Sequence, residues 1–172
     1  MSTTLIDPGP SEVAPAHVLS GWWRRVGAAV VDGIVIGVGA LVLLVAVTAP
    51  FSVGFFASDS AGATSLVIGL LVAIACVTVA ALLYAPAMMT RTDGRTLGRM
   101  VTGIRVVRAS GEPMSFGTAL LREVVLKAFA FPLIGSITGG ILSLLDILWP
   151  LWDSENRALH DIVVDTRVVL DE

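Results

Sequence analysis

Charged residues are scarce in this chain. Only 15% of its 172 residues are Asp, Glu, Lys or Arg, whereas 55% are apolar, and the mean hydropathy is +0.87. A soluble domain carries about 25% charged residues, and a domain of this size leaves much of its surface in contact with solvent. The chain has too few polar side chains to cover that surface, which excludes a soluble globular protein. We therefore expect the lipid bilayer to be its solvent and its first partner.

Cysteine and a large net charge are also lacking. The single cysteine, Cys76, excludes a disulfide framework and a cysteine-based zinc site. The formal charge of −3 and the isoelectric point near 5.3 argue against nucleic acid as a partner. The HExxH and GxSxG patterns of hydrolases are absent. We expect no enzymatic activity, no cofactor and no metal.

Two apolar runs are long enough to cross a membrane. Asp32 is the one charged residue in residues 26–47, and residues 63–89 have none. Twenty-two helical residues extend about 33 Å, which matches a hydrocarbon core of about 30 Å. We predict transmembrane helices at 22–49 and 63–89. Residues 1–20, rich in proline and without a basic residue, are predicted to form a disordered cytoplasmic tail.

The region 115–152 allows two interpretations. It contains Pro132 and several glycines, so it forms either one span with a preceding interfacial helix or a hairpin of short membrane helices at 117–133 and 138–152. β-Branched segments at 103–108 and 165–169 predict two short strands that pair with each other. Pairing places both strands on one side of the membrane and favours the hairpin. The predicted fold is an all-α integral membrane protein with four membrane-embedded helices and a small cytoplasmic strand pair, in one domain spanning 22–169.

The placement of basic residues predicts the topology. The loop between the first two spans has no Lys or Arg, whereas five arginines lie between 91 and 108. Basic loops stay in the cytoplasm, so we expect a multi-pass protein of the plasma membrane with both termini cytoplasmic. Arginines beside a membrane also favour contact with anionic lipid headgroups.

Asp32 is the most informative polar residue. It lies about 9 Å into the first helix, where an aspartate costs about 2.5–3.5 kcal/mol on insertion scales and so requires water or a polar partner. In the hairpin interpretation Asp146 lies at a similar depth near the cytoplasmic side, where the two carboxylates can meet at one site. Arg25, Lys127 and Arg122 are the candidate cations. The group is either a proton or ion site or a buried ion-pair network that holds the helices in place.

Three further motifs have mainly structural interpretations. Gly33 and Gly37 form a GxxxG pattern typical of close helix packing. Residues 94–99, GRTLGR, lack the GK[ST] ending of a phosphate loop and predict a basic turn that leads into a short helix. His160 and Asp161 have no nucleophile or metal partner nearby in the sequence, so we expect them to cap a helix or fix a strand.

Taken together, these motifs resemble the RDD family of bacterial membrane proteins. The resemblance rests on residues 23–32, on residues 94–107 and on Leu159-His160-Asp161 with residues 166–169. It implies that Arg25 or Arg24 is the family arginine, that Asp32 is the first aspartate, and that Asp161, or alternatively Asp146, is the second. This sequence has Asp165 where the family often has glycine. The resemblance further implies structural roles for a group of motif residues, which are Arg24, Gly94, Gly98, Gly103, His160, Asp161 and Thr166.

Two functions follow as hypotheses. The resemblance implies transport of undefined ligands, most simply of a cation or proton through Asp32. Four short helices enclose little volume, so such a pathway is expected to need a homo-oligomer or a membrane partner. The alternative is a non-catalytic membrane adaptor or assembly protein in which the Arg and Asp network is structural.

Overall fold

The computed structural model describes residues 18–52 and 60–171. In chain order the elements are α1 (Trp22–Ser52), α2 (Ser60–Arg91), α3 (Leu97–Thr102), β1 (Ile104–Arg108), α4 (Phe116–Leu120), a π-helix (Leu121–Ala130), α5 (Phe131–Ile137), α6 (Ile141–Leu148), a 3₁₀ turn (Trp149–Leu151), α7 (Leu159–Val163) and β2 (Thr166–Leu170). Residues 1–17 of the predicted tail lie outside the described residues. We call residues 92–115 and 153–171 the cap, and residues 116–152 the hairpin.

The helices α1 and α2 pack against each other as an apolar pair. They are 31 and 32 residues long, and within the described residues they are the two helices that are long and apolar enough to cross a membrane. Their Val, Leu and Ile side chains stay largely exposed, for example Leu41 and Leu71 at 62% each. Such surfaces suit lipid as the solvent. Helix α1 extends three residues past its predicted end, through Pro50, and α2 begins three residues before and ends two residues after its predicted bounds.

The predicted strand pair is confirmed. Strands β1 and β2 are antiparallel, with Ile104 opposite Leu170 and Arg108 opposite Thr166. Residues 18–20 lie along the other edge of β2, where Leu19 bridges Val169 and the N–H of Ser20 donates to the carbonyl of Val168 at 2.9 Å. This edge contact brings the segment before α1 onto the cap.

The hairpin has the predicted turn, displaced by a few residues. Helix runs continuously from 116 to 137, and the turn falls at 138–140, where Gly139 and Gly140 have positive φ angles of 61° and 89°. Glycine adopts this conformation without strain, so the chain can reverse at this pair, whereas Gly135 stays helical and lies close to the Ser143 side chain. The structure gives two short helices, α5 and α6, at this reversal, while their insertion in a membrane stays a prediction.

The π-helix ends two residues before Pro132. Proline lacks an N–H and its ring clashes with the carbonyl four residues earlier in an α-helix. In the turn before it, the N–H of Phe131 donates to the carbonyl of Leu126, five residues back, which is the π-helical pattern. The π-helix carries Lys127 as well as Arg122 and Glu123, and the last two bind Asp161 and Arg99 of the cap.

The buried core lies where the cap meets the helix pair. Seven apolar residues, from α1, α2, both strands and the hairpin entry, pack together there: Ala28, Met89, Ile104, Val106, Met114, Ala119 and Val168. The hairpin is also tied to α1, because the Trp22 indole N–H donates to the carbonyl of Ile147 at 2.9 Å. This bond sets the start of α1 beside the end of α6.

Candidate functional site

Asp32 accepts three hydrogen bonds from neutral donors. Its carboxylate receives the Tyr84 hydroxyl at 2.8 Å, the Thr96 hydroxyl at 2.6 Å and the Gly98 N–H at 2.8 Å. These donors come from α2, from the turn after it and from α3. The ion pair predicted for Asp32 with Arg25, Lys127 or Arg122 is not formed, because each of those cations binds another carboxylate. Asp32 therefore joins three elements through hydrogen bonds to neutral groups.

The glycines of the GRTLGR segment allow this close packing. A Cβ on Gly98 would lie 2.1 Å from the carbonyl oxygen of Ala28, so only glycine lets α3 reach α1. Gly94 has a φ of 83°, and a Cβ there would lie 1.9 Å from the carbonyl oxygen of Val106. The sequence prediction of a turn leading into a short helix is confirmed, and its glycines mark two backbone contacts.

The helix α3 is capped at both ends by motif residues. Thr96 is its N-cap and accepts from the N–H of Arg99, while Gly103 ends it in the left-handed conformation with φ 64°. The Arg24 guanidinium donates to the carbonyl of Thr102 at 3.2 Å. A cation at a helix C-terminus satisfies the free carbonyls and interacts favourably with the helix dipole. Arg24 and Gly103 thus act together on one helix end.

Asp161 is the centre of a second polar cluster. Its carboxylate is fully buried and binds the guanidinium of Arg25 at 2.6 Å and that of Arg122 at 2.5 and 2.9 Å. The N–H of Ala158 and the hydroxyl of Thr166 donate to the same carboxylate at 3.1 and 3.3 Å. The expectation that Asp161 caps a helix and fixes a strand agrees with these two contacts. The cluster joins α1, the hairpin, α7 and β2.

The charges around Asp161 control its ionisation. Burial by itself raises the pKa of the Asp161 carboxyl, but the nearby Arg122 and Arg25 guanidinium groups outweigh it and hold the pKa well below its usual value of 3.8. The carboxylate therefore stays ionised throughout the physiological range. Its two arginine partners keep an ionic contact across that range.

Glu123 extends the cluster to α3 and to the surface. One of its carboxylate oxygens binds the guanidinium groups of Arg122 and Arg99, the latter at 2.5 Å. The other oxygen lies 3.4 Å from the Lys127 ammonium. Glu123 and Lys127 are four residues apart, the spacing at which side chains on one helix face meet. Glu123 thereby links the cap to the π-helix of the hairpin.

Asp146 lies apart from Asp32 and binds His160. Its carboxylate receives the His160 backbone N–H at 3.0 Å and lies 2.9 Å from the ring Nδ1. The two carboxylates share no hydrogen-bond partner within residues 18–52 and 60–171, so the predicted common site of Asp32 and Asp146 is not formed. The reason is the position of the cap. Helix α7 places His160 next to α6, and His160 is the hydrogen-bond partner of Asp146.

Some residues of the site were not predicted from the sequence. Tyr84 is the one tyrosine of the chain and lies in a largely apolar run. A lone hydroxyl in such a run requires a hydrogen-bond partner, and this is the sequence signal that points to Tyr84. Arg99 and Thr96 gave no such signal. Gly33 and Gly37, by contrast, have no atom within 4 Å of a Cβ built on them, so no described part of this chain uses that GxxxG pattern for close packing.

Comparisons with known proteins agree with these motifs. A family model described as "RDD family" matches residues 19–165. The uncharacterized protein YckC of Bacillus subtilis (strain 168) is 28% identical over 149 residues, which is 87% of this chain and 83% of the relative. YxaI of the same strain, also uncharacterized, is 26% identical over 156 residues, 87% of this chain and 96% of the relative. The uncharacterized membrane protein YteJ of that strain is 26% identical over 172 residues, 94% of this chain and 87% of the relative. No solved structure matches the chain.

Proposed function

Because this chain belongs to the RDD family of membrane proteins, we propose that it is a non-catalytic membrane adaptor whose Arg and Asp network holds the cap on its membrane helices. The observation that carries the proposal is that the carboxylates of Asp32 and Asp161 already accept several hydrogen bonds from other parts of the chain. Asp32 is used by three neutral donors and Asp161 by two arginines, a threonine and a backbone N–H. Groups committed to so many structural contacts are poorly suited to release a proton or an ion.

The network favours a structural role on energetic grounds as well. Removing one partner of a buried ion pair costs about 3–5 kcal/mol, because the other charge is left buried and unpaired. The Arg25 to Asp161 to Arg122 contacts span 136 residues of sequence, so they fix the two ends of the chain together. A rigid cap is what an adaptor needs to present a constant surface to a partner.

The adaptor proposal includes a membrane placement. The hairpin inserts as a short re-entrant pair, and the cap with its arginines faces the cytoplasm of a plasma-membrane protein that crosses the bilayer at α1 and α2. Support comes from the distribution of charge, since α1 begins and α2 ends beside the arginine-rich cap. The exposed apolar residues of the hairpin tip, such as Ile137 at 81%, favour lipid as its surroundings.

Cysteine accessibility tests this placement. In a Cys76→Ser background, Glu112→Cys introduces a single cysteine on the cap, and Ile137→Cys introduces one at the hairpin tip. We expect a membrane-impermeant maleimide to modify position 112 in inverted vesicles but not in intact cells, and to leave position 137 unmodified in both. Modification of position 112 from outside intact cells contradicts the topology.

Site-specific photocrosslinking tests the adaptor role. Val163 on the cap is 62% exposed and Val38 on α1 is 59% exposed, so the two positions form a matched pair. With the chain at its native level, we expect a photoreactive residue at 163 to give one protein adduct of defined stoichiometry, and the same residue at 38 to give lipid adducts. Absence of any protein adduct at 163, and at other exposed cap positions, counts against an adaptor.

Transport is the second candidate, favoured by one observation. Asp32 borders a small cavity together with Arg25 and Lys127, so a polar space does reach the intramembrane aspartate. In this case a homo-oligomer or a membrane partner completes the pathway. The chain reconstituted in vesicles is assayed for proton and sodium flux, with Asp32→Asn as the variant and Glu112→Gln as the matched exposed control. Flux that is lost in Asp32→Asn while its melting temperature is retained establishes transport over the adaptor proposal.

A further inference from the structure

A small basic cavity lies between α1, α3 and the hairpin. Its volume is about 90 Å³, which is room for a few water molecules or for one small oxyanion. Ten residues line it: Arg25, Ala28, Ala29, Asp32, Arg99, Ile104, Arg122, Lys127, His160 and Val168. We call this space the basic cavity.

The charge that lines the basic cavity is mostly positive. Four cations face it, which are Arg25, Arg99, Arg122 and Lys127. One carboxylate, Asp32, also faces it and accepts hydrogen bonds from three neutral donors. Glu123 and Asp161 bind these cations but do not line the space, and Asp146 pairs with His160. Three carboxylates, Asp32 at the lining and Glu123 and Asp161 behind it, oppose the four cations, which leaves an excess of one positive charge around the space. Buried charges in proteins are paired, so this excess favours a bound anion.

Two arginines of the lining also have unused donors. Nη1 of Arg99 and Nε of Arg25 are buried and have no hydrogen-bond partner in the described part of the chain. Arg99 as a whole is only 8% exposed, so bulk water does not satisfy it. A buried charged donor that is left unpaired destabilises the fold. A guanidinium N–H forms a charge-assisted hydrogen bond with an oxyanion, and two donors on separate arginines are suited to two oxygens of one anion.

We propose that the basic cavity binds one phosphate-class oxyanion, either free in solution or carried by a lipid headgroup. Lys127, with a side chain that is 47% exposed, lies at the entrance and guides the anion inward. Arg99 and Arg25 donate their unused N–H groups to its oxygens. The bound anion then completes the contacts between α1 and α3, and so it stabilises the cap. This inference stands independently of the adaptor role.

Binding is tested with the full-length chain in maltoside detergent, which contains no phosphate. One arm titrates inorganic phosphate at constant ionic strength by calorimetry. The other arm adds phosphatidylglycerol and counts retained lipid by native mass spectrometry. Saturable binding of phosphate assigns a free oxyanion, and retention of one phosphatidylglycerol assigns a headgroup. Binding in neither arm overturns the proposal.

Three variants localise the bound anion. Arg99→Lys keeps the charge that faces Glu123 but removes the free N–H, so we expect at least a tenfold loss of affinity. Ala29→Met narrows the cavity and alters no charge, and it provides the same test if Arg99→Lys fails to fold. Arg108→Gln, on the exposed end of β1, is the control and is expected to bind as the wild type does. Equal weakening by all three variants indicates diffuse electrostatic attraction and overturns the site.

Discussion

A methyl group on Gly98 would lie 2.9 Å from the carboxylate carbon of Asp32. The same glycine donates its N–H to that carboxylate, so one backbone position both approaches α1 and supplies a hydrogen bond to the half-buried Asp32. Because the Ala28 carbonyl oxygen closes the other side at 2.1 Å, there is no room for any side chain.

Gly98→Ala is therefore expected to destabilise the protein. The added methyl pushes α3 from α1 and breaks the Asp32 contacts, with a loss of about 1–3 kcal/mol in the free energy of unfolding, as for other overpacked sites. Unfolding in detergent measures the loss. Gly33→Ala is the matched control, since nothing lies within 4 Å of its Cβ position, and it should unfold no earlier than the wild type. An unchanged stability of Gly98→Ala contradicts the packing described here.

Asp161→Asn tests the buried ion pairs. The amide leaves the Arg25 and Arg122 charges without a counter-ion, so we expect the free energy of unfolding to fall by about 3–5 kcal/mol. A double-mutant cycle with Arg122→Met should recover part of this loss, because the second change removes one stranded charge. Glu112→Gln breaks an exposed pair with Arg108 and is expected to cost less than about 1 kcal/mol. Additive losses in the cycle would rule out coupling between Arg122 and Asp161.

Asp161 also predicts how stability depends on pH. Its pKa is lowered in the folded state from 3.8, so its contribution is present above the unfolded-state pKa and declines as the pH falls below it. The difference in unfolding free energy between wild type and Asp161→Asn should therefore shrink between about pH 5 and pH 3. Chemical unfolding at several pH values measures this difference. A constant difference over that range would show that the carboxylate is not held ionised by its arginines.

The position before β2 predicts a substitution that the fold tolerates. Asp165 has a φ of 48°, a left-handed conformation that costs most side chains about 1–2 kcal/mol and glycine nothing. Asp165→Gly is expected to leave the free energy of unfolding unchanged or to raise it by up to about 1 kcal/mol. Asp165→Val should lower it by about 1–2 kcal/mol. The order Gly, Asp, Val in thermal unfolding checks this, and a valine variant as stable as glycine contradicts it.

Local pattern was sufficient for most of the secondary structure. Long apolar runs predict α1 and α2, and the β-branched segments at 103–108 and 165–169 predict the strand pair, because composition is a property of adjacent residues. The hairpin turn was displaced from its predicted place since Gly139 and Gly140, and not Gly135, take up positive φ angles. Glycine content alone does not say which glycine turns the chain.

The sequence by itself determined the lipid-compatible surface, the family motifs and the need for Asp32 to find a polar partner, all of which follow from side-chain chemistry along the chain. Only the tertiary structure decided the partners. Asp32 binds groups 52, 64 and 66 residues away, and Arg25 reaches Asp161 across 136 residues. Residue spacing along one helix cannot predict such contacts, because they depend on where the short helices and strands of the cap pack against α1 and the hairpin.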